Sequence, residues 1–164
     1  KFKDAYFNRF NNTWHHGDFA EIKKTRGFII HGRSDTTLNP GGVRLGTAEI
    51  YSEVEKYKEI KEAIVVGQSW DNDVRIVLFI VMNSKFLLTE DLLKKIKIQI
   101  RKNASPRHVP NKVIVVKDIP RTKSGKIVEL AVKNIIEGNN IKNKEALANP
   151  KALEQFKNLK ELRS

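Results

Sequence analysis

Apolar residues in this chain change period along its length, and the changes mark out its elements. Ile50, Val54 and Tyr57 recur at i, i+4 and i+7, which predicts one buried helical face, with Thr47 as its cap and Glu49 in its first turn. "AIVVG" (63–67) and "VRIVLFIVM" (74–82) are β-branched runs. The second is apolar at both alternating sets of positions, so it is expected to be a central strand covered on both sides. Leu92, Leu93, Ile96 and Ile100 form a second helical stripe, opened by Thr89 with Glu90 and Asp91 and closed by Arg101 and Lys102. "KVIVV" (112–116) is a further strand. A helix follows from about Lys126 to Glu137, stopped by Gly138, with Ile127, Leu130, Ala131 and Ile135 facing inward.

The two ends read differently. Residues 17–32 predict two short strands around a Lys-Lys-Thr-Arg-Gly turn, with Phe19, Ile22, Phe28 and Ile30 as the apolar positions and Gly27 supplying the turn. "RSDTTLNPGGVRLG" then holds three glycines, a proline and no periodicity, and is the best candidate for a domain boundary. The tail, "ANPKALEQFKNLKELR", predicts a last helix with Asn149 as cap and Pro150 at its first position, packing through Leu153, Phe156 and Leu159. The sum is an α+β fold: a small three-stranded sheet flanked by helices, behind a β-hairpin.

Composition narrows the function classes. A compact chain of 164 residues buries roughly 70% of its unfolded surface and needs no covalent staples. There is no cysteine, which excludes disulfides and thiolate metal sites and suits a reducing, cytoplasmic setting. No apolar run approaches the ~20 residues of a membrane span. The first residue is not methionine and the pattern begins abruptly, so the chain is expected to be part of something longer. Lys and Arg number 31 against 19 Asp and Glu, a net charge of +12. That raises a basic nucleic-acid-binding module as one reading, although the lysines are interleaved with glutamates, as in "EVEKYKEIKE", rather than clustered as phosphate contacts require.

"IPRTKSGKIVE" (119–129) sets Arg121, Lys123 and Lys126 close together. It is either a solvated basic loop or a loop that delivers a lysine to a phosphate. A Walker A loop needs glycine five positions before its Gly-Lys and a hydroxyl after it, where this chain has Pro120 and Ile127. Lys126 is expected at a helix start, where a cation is unfavourable by ~0.3–1 kcal/mol unless an anion joins it. In "NPGGVRLG", Gly41 and Gly42 would let a ligand approach the backbone, or simply form a turn. "WHHGD" offers two histidines and an aspartate, but neighbouring strand residues face opposite ways, which argues against a metal site. His108, in "SPRHVP", has no evident partner and reads as structural.

Taken in order, these segments resemble the carboxyl-terminal portion of the adenylate-forming acyl-CoA synthetases. "GDFAEI" is similar to that family's Gly-Asp segment, "GRSDTTLNPGGVRLGTAEIY" to its hinge and following loop, and "IPRTKSGKIVELAVKNII" to its lysine segment. "YFNRFNNTWHHGDFAEI", "SPRHVPNKV" and "NKEALANPKAL", with His16 where many relatives have Thr or Ser, resemble the acetoacetate branch rather than the acetate branch. The resemblance implies formation of an acyl-adenylate from a carboxylate and ATP, then its transfer to CoA, by a small domain that rotates on a hinge. It implies acetoacetate, ATP and CoA as substrates, with magnesium bound outside these residues. It divides the chain into the end of a large AMP-binding domain (1–34), a mobile domain (35–138) and a helical tail (139–164).

Residue by residue, the resemblance makes Lys126 the catalytic lysine, and places Asp18 and Arg33 at the ribose and Arg44 at the ATP phosphates. It makes Asp35 the hinge, sets Gly42 beside the pantetheine channel and Arg101 near the nucleotide phosphate of CoA. The remainder of the longer chain is then the partner of this piece, which alone is expected to make no adenylate. An enzyme for acetate or propionate would share every residue named, because the acid pocket lies elsewhere.

Overall fold

The computed structural model describes residues 2–141 and 144–164. Asn143, which opens one of the tail motifs quoted above, and Lys1 lie outside the described residues. A short helix α1 (Phe2–Tyr6) precedes a two-stranded antiparallel hairpin, β1 (Asp18–Ile22) and β2 (Phe28–Arg33). Its turn closes with Lys23 and Gly27 bonded across it, and the left-handed residue is Arg26 (φ 62°) rather than the expected Gly27. Ile22, Phe28 and Ile30 are exposed.

The main body is built on β3 (Ile60–Trp70), β4 (Asp73–Met82) and β5 (Lys112–Val115), in that spatial order. β4 is central, antiparallel to β3 and parallel to β5. Asp71 and Asn72, both at positive φ (49° and 59°), join β3 to β4 in the tightest kind of hairpin, whose backbone twist matches that of the strands.

The alternation in β4 separates two cores. Ile76, Leu78 and Ile80 pack with Val65 against Ile50 and Val54 of α2 (Ala48–Val54) and Ile96 and Ile100 of α3 (Glu90–Asn103). Val77, Phe79 and Val81 face the other way, onto Val132 of α4 (Glu129–Ile136) and onto Phe156 and Leu162 of the tail. Phe79 and Phe156 meet edge to face with ring centroids 4.9 Å apart, both fully buried. Each such side chain contributes roughly 1.5–3 kcal/mol by leaving water, which is why the doubly apolar strand ends up in the middle. Leu38 and Leu45, from the glycine-rich segment, pair as an antiparallel bridge and join the first core.

Several local expectations are corrected. α4 begins at Glu129, so Lys126 stands in a loop and not at a helix start. Within α4, Val132 is buried while Leu130 is exposed. The tail forms 3-10 turns (Pro150–Phe156, Lys160–Leu162) rather than an α-helix. Thr89 caps α3 as expected, its Oγ1 accepting from the Leu92 N–H at 3.2 Å. Thr47 and Asn149 occupy cap positions without making cap bonds. His108 does have a partner, Ser105 Oγ at 2.8 Å from its Nδ1, and burial lowers its pKa.

Arg75 is the buried polar residue of β4. It is buried, lies 3.7 Å over the Trp70 ring, and donates to Gln68 Oε1 (2.9 Å) and to the carbonyl oxygens of Leu162 and Ser164 (both 2.6 Å). Tyr51 links three elements: its hydroxyl donates to Glu129 on α4 and accepts from the Val65 N–H of β3 at 3.0 Å. Burial is the main reason its pKa rises well above the ordinary phenol value. Tyr51→Phe leaves a carboxylate and an amide without that partner. We expect a loss of about 1–3 kcal/mol in unfolding free energy by denaturant titration; an unchanged midpoint would show the hydroxyl to be dispensable.

Candidate functional site

The residues expected to act together fall into separate groups. Asp18, Arg33 and Asp35 form one. The Arg33 guanidinium lies 3.3 Å from both carboxylate oxygens of Asp35, 3.8 Å from Asp18 Oδ1, and donates to the His16 carbonyl at 3.1 Å. His16 in turn bonds Asp18 through Nδ1. Gly17 makes this possible: at φ 90° its missing Cβ would sit 2.8 Å from Arg33 Nη2. The Arg33 and Asp35 side chains are about half exposed (51% and 48%), so their pairing contributes little energy but fixes where the hairpin leads into the next segment. Arg44 stands near the same hairpin, 6.0 Å over the Phe19 ring.

Gly42 ends the Pro40–Gly42 turn at φ 74°, and a Cβ there would meet nothing within 4 Å. The turn is pinned by the Gly41 N–H, which donates to both Asp73 oxygens (2.8 and 3.0 Å). Gly42 therefore borders a cleft beside the β3–β4 turn, with Asn39, Trp70 and Asn72. Arg101 is exposed in the last turn of α3, in a shallow groove with Lys94, Lys97 and Val109.

Lys126 is elsewhere again. Residues 121–127 fold back on themselves through an Arg121–Ile127 bridge, Thr122 N–H to the Lys126 carbonyl (2.8 Å) and Arg121 Nη1 to the Gly125 carbonyl (2.8 Å). Arg121 also pairs with Glu62 near the start of β3, 3.1 Å away. The Lys126 side chain is exposed, and among the described residues its ammonium has no hydrogen-bond or ion-pair partner. The loop is thus well ordered in its backbone while its cation projects freely. Glu62 and Trp70 are eight residues apart on one strand, so the Lys126 loop and the Gly42 cleft are separated by roughly 25 Å, at opposite ends of the sheet.

Known proteins resemble this chain in sequence and in fold. A family model described as the AMP-binding enzyme C-terminal domain matches residues 49–126, ending on Lys126. The whole chain is 60% identical to the acetoacetyl-coenzyme A synthetase of Rhizobium meliloti and, over 166 aligned positions, 45% identical to that of Xenopus tropicalis, covering 25% of each. The solved acetoacetyl-CoA synthetase of Streptomyces lividans superposes with a TM-score of 0.88 at 37% identity, over 99% of this chain and 25% of that one. An anthranilate CoA ligase in complex with anthranoyl-AMP shares the fold at 22% identity, over 72% of this chain and 23% of its own, with a TM-score of 0.65. The chain spans about a quarter of the length of the curated relatives it matches.

The sequence motifs located the exposed cations and glycines but missed what holds them. Asp73, Glu62 and Asn149 each anchor a loop from a distant point in the chain, and only the sheet register and the packing of the tail bring them near. A similar long-range contact joins hairpin to domain. His31 on β2 bonds Glu49 on α2 through Nδ1 (2.6 Å) and Glu21 through Nε2 (3.3 Å). The Glu49 hydrogen bond is the main reason the His31 pKa is raised. A raised value means that the contact stabilises fully below the ordinary imidazole pKa, about 6.5, and fades as pH rises through the raised one. Among the described residues no helix is long and apolar enough to cross a membrane.

An NMR titration of the His31 ring is expected to give a midpoint above that of an unstructured imidazole, returning toward it in Glu49→Gln. A midpoint at or below the ordinary value would contradict the pairing.

Proposed function

We propose that this chain is the lysine-bearing lobe of an AMP-forming acetoacetyl-CoA synthetase, the longer protein converting acetoacetate, ATP and CoA to acetoacetyl-CoA, AMP and diphosphate. The observation that carries the reading is an exposed ammonium, without a partner among the described residues, held out by a braced loop at one end of the sheet, with an open glycine turn at the other. In the first step the carboxylate oxygen attacks the α-phosphorus and diphosphate leaves. Negative charge grows on the phosphoryl oxygens, and the Lys126 ammonium offsets it more in the transition state than in the ground state. Asp18, its side chain a third exposed, supplies acceptor oxygens for ribose hydroxyls. Arg33 stands beside it, and Arg44 is assigned to the phosphates.

In the second step the CoA sulfur attacks the acyl carbon and AMP leaves with the electron pair. Two devices roughly 25 Å apart on one rigid sheet do not serve one acyl carbon at the same time. The lobe therefore turns about Asp35, withdrawing Lys126 and bringing Gly42 to the pantetheine arm and Arg101 toward the CoA nucleotide. In this reading the magnesium that accompanies ATP belongs to the remainder of the protein.

In the full-length protein, Lys126→Ala is expected to slow adenylate formation about a hundredfold or more, ~3 kcal/mol, while sparing thioester formation from supplied adenylate. Equal losses in both half-reactions, measured separately, would remove Lys126 from this role. Turnover with acetate faster than with acetoacetate would overturn the substrate assignment. Asp35→Pro fixes φ at the hinge and also breaks the pair with Arg33, so it is compared with Asp35→Ala, which breaks the pair alone. We expect the proline variant to slow one half-reaction selectively and the alanine variant to slow neither strongly. A uniform slowing by the proline would argue against a hinge there.

A further inference from the structure

The tail beyond α4 does more than cover the sheet. From Lys117 to Lys123 the chain is gripped by it at successive points. Gln155 Oε1 accepts from the Lys117 N–H (2.6 Å), and its Nε2 donates to the Asp118 carbonyl (2.6 Å). The Ala148 N–H donates to the Arg121 carbonyl (2.8 Å) and the Lys123 N–H to the Ala146 carbonyl (3.1 Å), around an antiparallel Thr122–Leu147 bridge. The tail thus adds a third extended segment to the outgoing leg of the loop whose return leg carries Lys126.

Asn149 is the centre of this grip. Asn-Pro reads in the sequence as a helix cap, yet the side chain makes no cap bond. Its Oδ1 instead accepts from the Arg121 N–H at 2.8 Å, and its Nδ2 donates to Asp118 Oδ2 at 2.7 Å and to the Ile119 carbonyl at 2.9 Å. Both amide protons are therefore used, on neighbouring residues just before the loop. The tail cannot drift, because Leu147 and Leu153 are buried with Ala131 of α4, and Phe156 is locked against Phe79.

We infer that Asn149 is a positioning residue for Lys126: through Arg121 and Ile119 it fixes the root of the loop, and so the place at which the exposed ammonium is presented. It touches no substrate. Its effect belongs to the step in which Lys126 is engaged, where a displacement of about 1 Å can cost on the order of a hundredfold. The inference rests on the reading of Lys126 given above.

The test uses full-length protein, with the two half-reactions assayed separately and hydrogen exchange followed in the peptide covering 120–128. Asn149→Ala is expected to slow adenylate formation about tenfold or more, to leave thioester formation from supplied adenylate within about threefold, and to speed exchange in that peptide. Asn149→Asp keeps the acceptor for Arg121 but sets a second carboxylate against Asp118 Oδ2 and the Ile119 carbonyl, and is expected to split the half-reactions at least as strongly; Asn149→Ser, small and uncharged, is the variant to use should the alanine form fail to fold. Ile100→Val, in the opposite core, controls for general destabilisation and is expected to show no such split. Equal slowing of both steps by the Asn149 variants, or unchanged adenylate formation despite faster exchange, overturns the inference. Lys126→Ala run alongside keeps the two claims apart. If it separates the half-reactions and the Asn149 variants do not, the inference alone falls; if it fails to separate them, the Lys126 reading falls and takes the inference with it.

Discussion

A strand that is apolar on both faces has to be covered on both, and this requirement on β4 organises the molecule. Its odd and even side chains feed two separate cores, one closed by α2 and α3 and the other by α4 and the tail. Both broad faces of the sheet are thereby occupied by packing. What is left for chemistry is its two ends, and those are where the Gly42 turn and the Lys126 loop stand. The separation of the two follows from the length of β3, an element whose own residues are almost wholly structural.

The second consequence concerns order. The lysine loop carries three cations within six residues, which in isolation would stay solvated and mobile. It is braced instead by its own backbone bonds, by Glu62 and by the tail, so that entropy is lost on folding rather than at the moment of binding. An ammonium on a fixed root and a free stem can meet an anion without dragging a loop into order. The segment around Asp35 is of the opposite kind. The contacts across it, Arg33 with Asp35 and His31 with Glu49, are ion pairs near the surface, which are weak enough to break and re-form.

Much of this was legible in the sequence. The β4 run told its own position because period-2 alternation with no polar face has one physical solution. The α3 stripe and its Thr89 cap were readable because caps and periodicity are local. The resemblance of three ordered segments marked out the candidate site. What local reasoning misplaced was set by long-range contacts. Lys126 fell off the helix because residues 121–127 pair with each other and with the tail, leaving Glu129 to start α4. Asn149 looked like a cap because nothing in "ANPKAL" shows that an amide group 28 residues earlier, at Arg121, needs an acceptor. The Arg26 turn and the role of Tyr51 were hidden for the same reason: each depends on a partner strand or helix rather than on neighbours in sequence.

The central claim, that one lobe presents Lys126 in the first step and withdraws it in the second, is tested most directly by the reactivity of its amine. In full-length protein, labelling of lysines with an amine-reactive ester and peptide mass spectrometry would compare two states: ATP bound, and adenylate with CoA bound. The account predicts strong protection of Lys126 in the first state and labelling close to that of an exposed lysine in the second. Equal labelling of Lys126 in both would contradict it.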